Sequence, residues 1–95
     1  MELSINICTY NNRDFLKGCL SSIFARISNV AFEVVVVDNA SNDGTPDMLR
    51  QTFPDVRVTE NRTNRGVARA RNQAIQCSRG RSILLLDADT EICSD

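Results

Sequence analysis

Phe32-Glu33-Val34-Val35-Val36-Val37-Asp38 decides the fold. The run is short, β-branched and almost wholly apolar, the composition of a central parallel strand covered on both faces. It stops at a carboxylate. Upstream, Leu3, Ile5 and Ile7 alternate with Ser4 and Asn6, and a first strand ends at Thr9. Between the two strands, Asn11-Asn12-Arg13-Asp14 offers turn and helix-start residues. Phe15, Leu16, Cys19, Leu20, Ile23, Phe24 and Ile27 then recur at intervals of three and four, which predicts a helix with that set on one face.

Downstream of Asp38 comes the loop Asn39-Ala40-Ser41-Asn42-Asp43-Gly44, in which Asp43 reads as turn and cap chemistry. Thr45 is expected as N-cap and Pro46 as first helical residue, with the helix running to about Phe53. Val56-Arg57-Val58-Thr59 reads as an edge strand and Asn61 to Gly66 as a polar loop. A helix from Val67 to about Cys77 follows, with Gly80 soon after it. The last strand, Ser82-Ile83-Leu84-Leu85-Leu86, runs into Asp87-Ala88-Asp89.

Strand and helix alternate throughout, which predicts an α/β fold. It is a Rossmann-like three-layer α/β/α arrangement with a four-stranded parallel sheet and right-handed crossovers, strand order 3-2-1-4. In such sheets a ligand sits beyond the carboxyl ends of the strands, where the order reverses. Thr9, Tyr10, Asp38, Asp87 and Asp89 all fall on that rim.

The chain has 95 residues, enough for one domain. A net charge of −1 gives no global electrostatic case for nucleic acid. There is no His, so a Ser-His-Asp triad, a Cys-His pair and a His-ligated metal are excluded. A general base, if present, is Asp or Glu. Cys8, Cys19, Cys77 and Cys93 are scattered with no C-x-x-C, the pattern of reduced apolar cysteines in a cytosolic protein rather than a zinc site. No signal peptide or membrane span is expected. No G-x-x-x-x-G-K-[ST] and no G-x-G-x-x-G is present, which argues against P-loop and dinucleotide-binding chemistry. The first strand does not end in acidic residues, which disfavours a receiver-type phosphoacceptor.

Asp is a common turn residue, and that accounts for one reading of Asp38, Asp87 and Asp89. The other reading rests on position. Two carboxylates one residue apart, at the end of the most hydrophobic run, suit a hard cation such as Mg²⁺ that also takes substrate phosphates. Asp38, after four valines, can accept a hydrogen bond from a base or ribose. Arg71 shares a helix face with Val67, Ala74 and Ile75, so its guanidinium either meets a carboxylate or ligand phosphate or reaches out to solvent along a packed stem. Tyr10 can stack on a nucleobase or pack on the first helix.

Four stretches together resemble the N-terminal half of the family 2 glycosyltransferases of GT-A type fold. They are Ile5–Asn11, Val34–Thr45, Asn64–Asn72 and Leu84–Thr90, in order and suitably spaced. The resemblance implies a donor site for a nucleoside-diphosphate sugar. Thr9 and Tyr10 would line the nucleobase and ribose, and Asp38 would accept from the base. Arg71 would lie near the base carboxylate or the phosphates. Asp87 and Asp89 match the D-x-D motif, with Asp89 on Mg²⁺ or Mn²⁺ and Asp87 near the ribose and the metal. Cys8 stands where a Pro is frequent, and Asn39 where many members have a second Asp. The Asp-Asn form is similar to the rhamnosyltransferase branch and favours a UDP- or dTDP-sugar.

Family members continue into an acceptor-binding half that carries the catalytic Asp or Glu, whereas six residues follow Asp89 here. Residues 1–95 are therefore expected to supply the donor and metal site, with the general base beyond residue 95. The other reading is a non-catalytic nucleotide-binding or interaction module. A sugar-1-phosphate nucleotidylyltransferase is disfavoured, since no Gly-rich phosphate loop follows the first strand. The last strand becomes an apolar edge, which predicts a homo-oligomer. The expected location is the cytoplasm, at or near the cytoplasmic membrane face.

Overall fold

The computed structural model describes residues 1–89. Cys93 and the last residue of the fourth family-like stretch, Thr90, lie outside them. The elements are β1 (Leu3–Thr9), α1 (Arg13–Arg26), β2 (Phe32–Asp38), α2 (Thr45–Thr52), β3 (Arg57–Glu60), α3 (Val67–Cys77) and β4 (Ser82–Asp87). They form one parallel sheet in the order β3-β2-β1-β4, as the alternation predicts. The register sets Thr9 opposite Asp38, Cys8 opposite Asp87, and Asp38 opposite Glu60. The strand ends thus line up on one rim. β3 starts one residue later than expected, and Val56 is buried just before it.

The pleat splits the core in two. Ile5, Ile7, Val34 and Val36 pack with Leu16, Cys19, Leu20 and Ile23 of α1 and Leu49 of α2. Each fully buried Ile, Leu or Val here contributes about 1.5–3 kcal/mol. Val35 and Val37 face the other way, onto Ala70 and Ala74 of α3. Alanines let α3 lie close over β1 and β2.

Two helix faces are narrower than their periodicity suggests. Phe15 is 64% exposed, and Phe24 leaves the core to pair with Phe32 and Phe53 at 5.8 and 6.0 Å between ring centroids. On α3 the buried stripe is Ala70 and Ala74, while Val67 and Ile75 stay exposed. Arg71 therefore does not share a buried face. It turns toward β4 instead.

Helix starts also differ from expectation. Gly44, at φ +86°, precedes Thr45 at the start of α2. Thr45 does not cap; its buried hydroxyl and its N–H both donate to Asp43 Oδ1, at 2.5 and 3.2 Å. Asp43 Oδ2 accepts the N–H of Arg13 at 3.0 Å, which caps α1 from the neighbouring loop. One carboxylate thus starts two helices. Burial alone would raise the Asp43 carboxyl, but these bonds outweigh it and hold it below the ordinary value.

At the opposite end of the sheet, buried Glu33 joins three strands. Its carboxylate accepts from Ser4 Oγ of β1 at 2.6 Å, Arg57 Nη1 of β3 at 2.7 Å and the Arg79 N–H at 2.6 Å. Arg57 also donates to Cys77 O, tying α3 in. Gly80 serves this junction rather than the end of α3. A Cβ there would lie 2.5 Å from Ser4 N, so only glycine allows the close approach.

Candidate functional site at the carboxyl rim of the sheet

Thr9 and Asp38 end adjacent strands and are 3% and 1% exposed. Asp38 Oδ2 accepts the Ser41 N–H at 3.0 Å, which shapes the loop after β2. Asp38 Oδ1 and Thr9 Oγ1 find no partner among the described residues. A buried polar atom left unmade costs about 1–3 kcal/mol, so two at one rim call for an explanation. The backbone around them is held in uncommon geometry. Asn11 and Ala40 take φ of +51° and +70°. The two loops are laced together by Asn11 N–H to Ser41 Oγ and Asn42 N–H to Asn11 Oδ1, both 2.8 Å. Strain of this kind gathers at binding sites, where surrounding structure over-determines it. Tyr10 stands half-exposed beside Thr9.

β4 delivers the carboxylate pair. Ala88 is buried in the α1-side core, while Asp87 and Asp89 on either side are exposed. The small middle residue anchors the turn, and both carboxylates are left outside. Arg71 Nη2 lies 3.7 Å from Asp87 Oδ1, with both side chains substantially exposed. An exposed pair of this length holds each group by under about 1 kcal/mol, so either can be redirected by a ligand. Beneath the turn, Cys19 Sγ–H points at Asp87 O at 3.9 Å. Burial and then the Asp89 charge push the Cys19 thiol up to about 11. Burial also raises Cys8, partly opposed by Arg71. Both thiols are poor nucleophiles at neutral pH.

Sequence reasoning missed Asn39 as a structural hub. Its Oδ1 accepts from Asn61 Nδ2 at 3.1 Å and Arg65 N–H at 3.0 Å, and its Nδ2 donates to Gly66 O at 3.2 Å. Asn61 and Gln73 complete the lock with reciprocal amide bonds of 2.8 and 2.9 Å. An Asp at this position could not donate to Gly66 O. The Asn39 side chain thus has an internal reason to be Asn. The signal in sequence was the Asn-rich composition of both loops.

Among the described residues no three His, Cys, Asp or Glu side chains converge to hold a metal alone. Two exposed carboxylates still match a hard cation that brings its remaining oxygens from a diphosphate and water. An open groove of about 450 Å³ between α1 and α2, lined by Arg13, Lys17, Asp47 and Gln51 among others, contains none of Asp38, Asp87 or Asp89.

A four-stranded parallel sheet in the order β3-β2-β1-β4, with these polar groups at its switch point, is the arrangement of the GT-A type fold. The chain belongs to glycosyl transferase family 2, whose sequence pattern matches residues 4–95. It is 36% identical over its full length to the uncharacterized glycosyltransferase YfnE of Bacillus subtilis, covering 25% of that protein. It is 35% identical, again over its full length, to a poly(ribitol-phosphate) beta-glucosyltransferase of Bacillus spizizenii, covering 16% of it. The chain thus spans a quarter or less of either relative. Among solved structures, residues 1–349 of S. aureus TarS superpose with a TM-score of 0.86 at 30% identity, over 97% of this chain and 28% of that one. The mannosyltransferase PcManGT of Pyrobaculum calidifontis, solved with GDP-Man and Mn²⁺, gives 0.85 at 33% identity, over 98% and 29%. TarS has also been solved with UDP-GlcNAc.

Proposed function

We propose that residues 1–95 form the donor-binding part of a glycosyltransferase that moves a sugar from a nucleoside-diphosphate sugar to an acceptor hydroxyl. The observation that carries this is the pair of buried, unpartnered oxygens, Thr9 Oγ1 and Asp38 Oδ1, on adjacent strand ends. In this reading they take hydrogen bonds from the base and ribose, and Tyr10 stacks on the base. Arg71 and Asp87 would line the ribose and diphosphate, and Asp89 with Asp87 would hold Mg²⁺ or Mn²⁺. Such an ion neutralises charge on the departing nucleoside diphosphate. The acceptor oxygen attacks the anomeric carbon opposite the leaving diphosphate, so configuration inverts. Asp38 is buried, Glu60 is paired with Arg50 at 2.7 Å, and Asp87 and Asp89 would serve the cation. The base that takes the acceptor's proton is thus assigned to none of the described rim carboxylates.

We favour a UDP- or dTDP-sugar as donor. The ligands of TarS and PcManGT support a nucleotide-sugar site and, for PcManGT, a divalent ion. No described helix is long and apolar enough to cross a membrane, and Cys8, Cys19 and Cys77 are free, which fits a cytoplasmic setting. The exposed β4 edge supports pairing with a second copy.

A radiolabelled-donor assay for hydrolysis or transfer tests the reading. Turnover that Asp89→Ala abolishes would exclude the second reading, a non-catalytic nucleotide-binding or interaction module. Nucleotide binding that is indifferent to Mn²⁺ and to Asp89→Ala would favour it.

A further inference from the structure

A cavity of about 30 Å³ lies between β1, β4 and α3, lined by Asn6, Cys8, Arg71, Leu85, Leu86 and Asp87. Asn6 sits in the middle of the sheet, between Val35 and Leu85 on the neighbouring strands, and is 1% exposed. An amide in so apolar a setting needs partners for both of its ends. Ser78 Oγ lies 2.8 Å from Asn6 Oδ1 and 2.8 Å from Ala74 O. A hydroxyl has one proton and can donate to only one of them. If it donates to Asn6, then Asn6 Nδ2 is the buried group without a partner among the described residues. If it donates to Ala74 O, the amide turns its N–H₂ to Ser78 and leaves its carbonyl oxygen unmet. In both cases one polar end of a buried amide remains unsatisfied.

The other strongly polar groups on the cavity are the Arg71 guanidinium and the Asp87 carboxylate, 3.7 Å apart. The space holds about one water, which typically makes three hydrogen bonds to buried polar groups. We propose that one ordered water occupies this cavity and joins the Asn6 amide to the Arg71–Asp87 pair, which makes Asn6 a positioning residue for Asp87. Through its partners the water accepts from Arg71 and donates to Asp87. Its bond to Asn6 follows whichever end of the amide faces it. The consequence for ligand binding rests on the nucleotide-sugar reading above; the water itself does not. Partners that orient a metal-binding carboxylate are worth about 10- to 100-fold in metal affinity.

The test pairs a crystal structure of the chain, at a resolution that shows ordered water, with nucleotide titrations of Asn6→Leu. Density for a water within hydrogen-bond reach of Asn6 and Asp87 is expected, and a dry cavity overturns the proposal. Asn6→Leu should keep or raise the melting temperature. It should also reduce by about 10-fold the affinity gained from Mn²⁺. An unaltered Mn²⁺ gain overturns the positioning role. A wild-type chain that binds no nucleoside diphosphate defeats the donor-site reading instead, and the density then decides the water on its own.

Discussion

Thr9 is the residue at which stability and binding pull apart. Its buried hydroxyl has no partner among the described residues, so the unliganded protein carries its desolvation cost. Thr9→Val removes the hydroxyl at nearly constant shape. The expected outcome is a melting temperature raised by a few degrees, corresponding to about 1 kcal/mol, together with weaker nucleotide binding. A variant that melts lower and binds as well as wild type would show the hydroxyl to be satisfied within the protein. Asp38, Asp87 and Asp89 were legible as rim residues because each ends a hydrophobic strand. The buried role of Ala88 and the internal bonding of Asn39 were not, since both depend on contacts with distant segments, α1 and the loop before α3.

At the scale of elements, the alternation of apolar runs and helical spacing was enough for all seven elements and their order. It failed on faces. Val67, Arg71 and Ile75 share a stripe, yet α3 packs through Ala70 and Ala74 because the small residues permit the closer approach. Periodicity counts apolar residues and does not weigh their size. Glu33 was hidden for a related reason, inside a run read as almost wholly apolar, where its partners come from β1, β3 and the segment after α3. Burial would raise its carboxyl. The bonds from Ser4, Arg79 and Arg57, with the Arg57 charge, outweigh that and leave it below the ordinary glutamate value. A lowered native value means the folded state binds its proton less readily than the unfolded chain. The stabilisation is therefore complete above the ordinary glutamate range and is lost as pH falls through the native value. Glu33→Gln should cost about 1–3 kcal/mol at neutral pH in denaturant melts, and the gap from wild type should narrow below about pH 4. A gap that stays constant down to acid pH would contradict the charged clamp.

For the whole molecule, the sheet is asymmetric. β1 and β2 are buried on both faces, whereas Ile83, Leu84 and Leu85 of β4 are 41%, 39% and 45% exposed at the edge of the sheet that the described residues form. Light scattering of the purified chain at micromolar concentration should give a dimer or larger, and Leu85→Lys should shift it toward monomer. A monomeric wild type would defeat pairing through β4. The proposed donor site lies at the other end of the strands, on Thr9, Asp38, Arg71, Asp87 and Asp89. It is tested most directly by calorimetric titration of the chain with UDP, dTDP and GDP, with and without Mn²⁺. Saturable binding of at least one of them is expected, strengthened by Mn²⁺ and reduced to the metal-free level by Asp89→Ala. Absence of binding for all three, or binding that ignores both Mn²⁺ and Asp89, would contradict it.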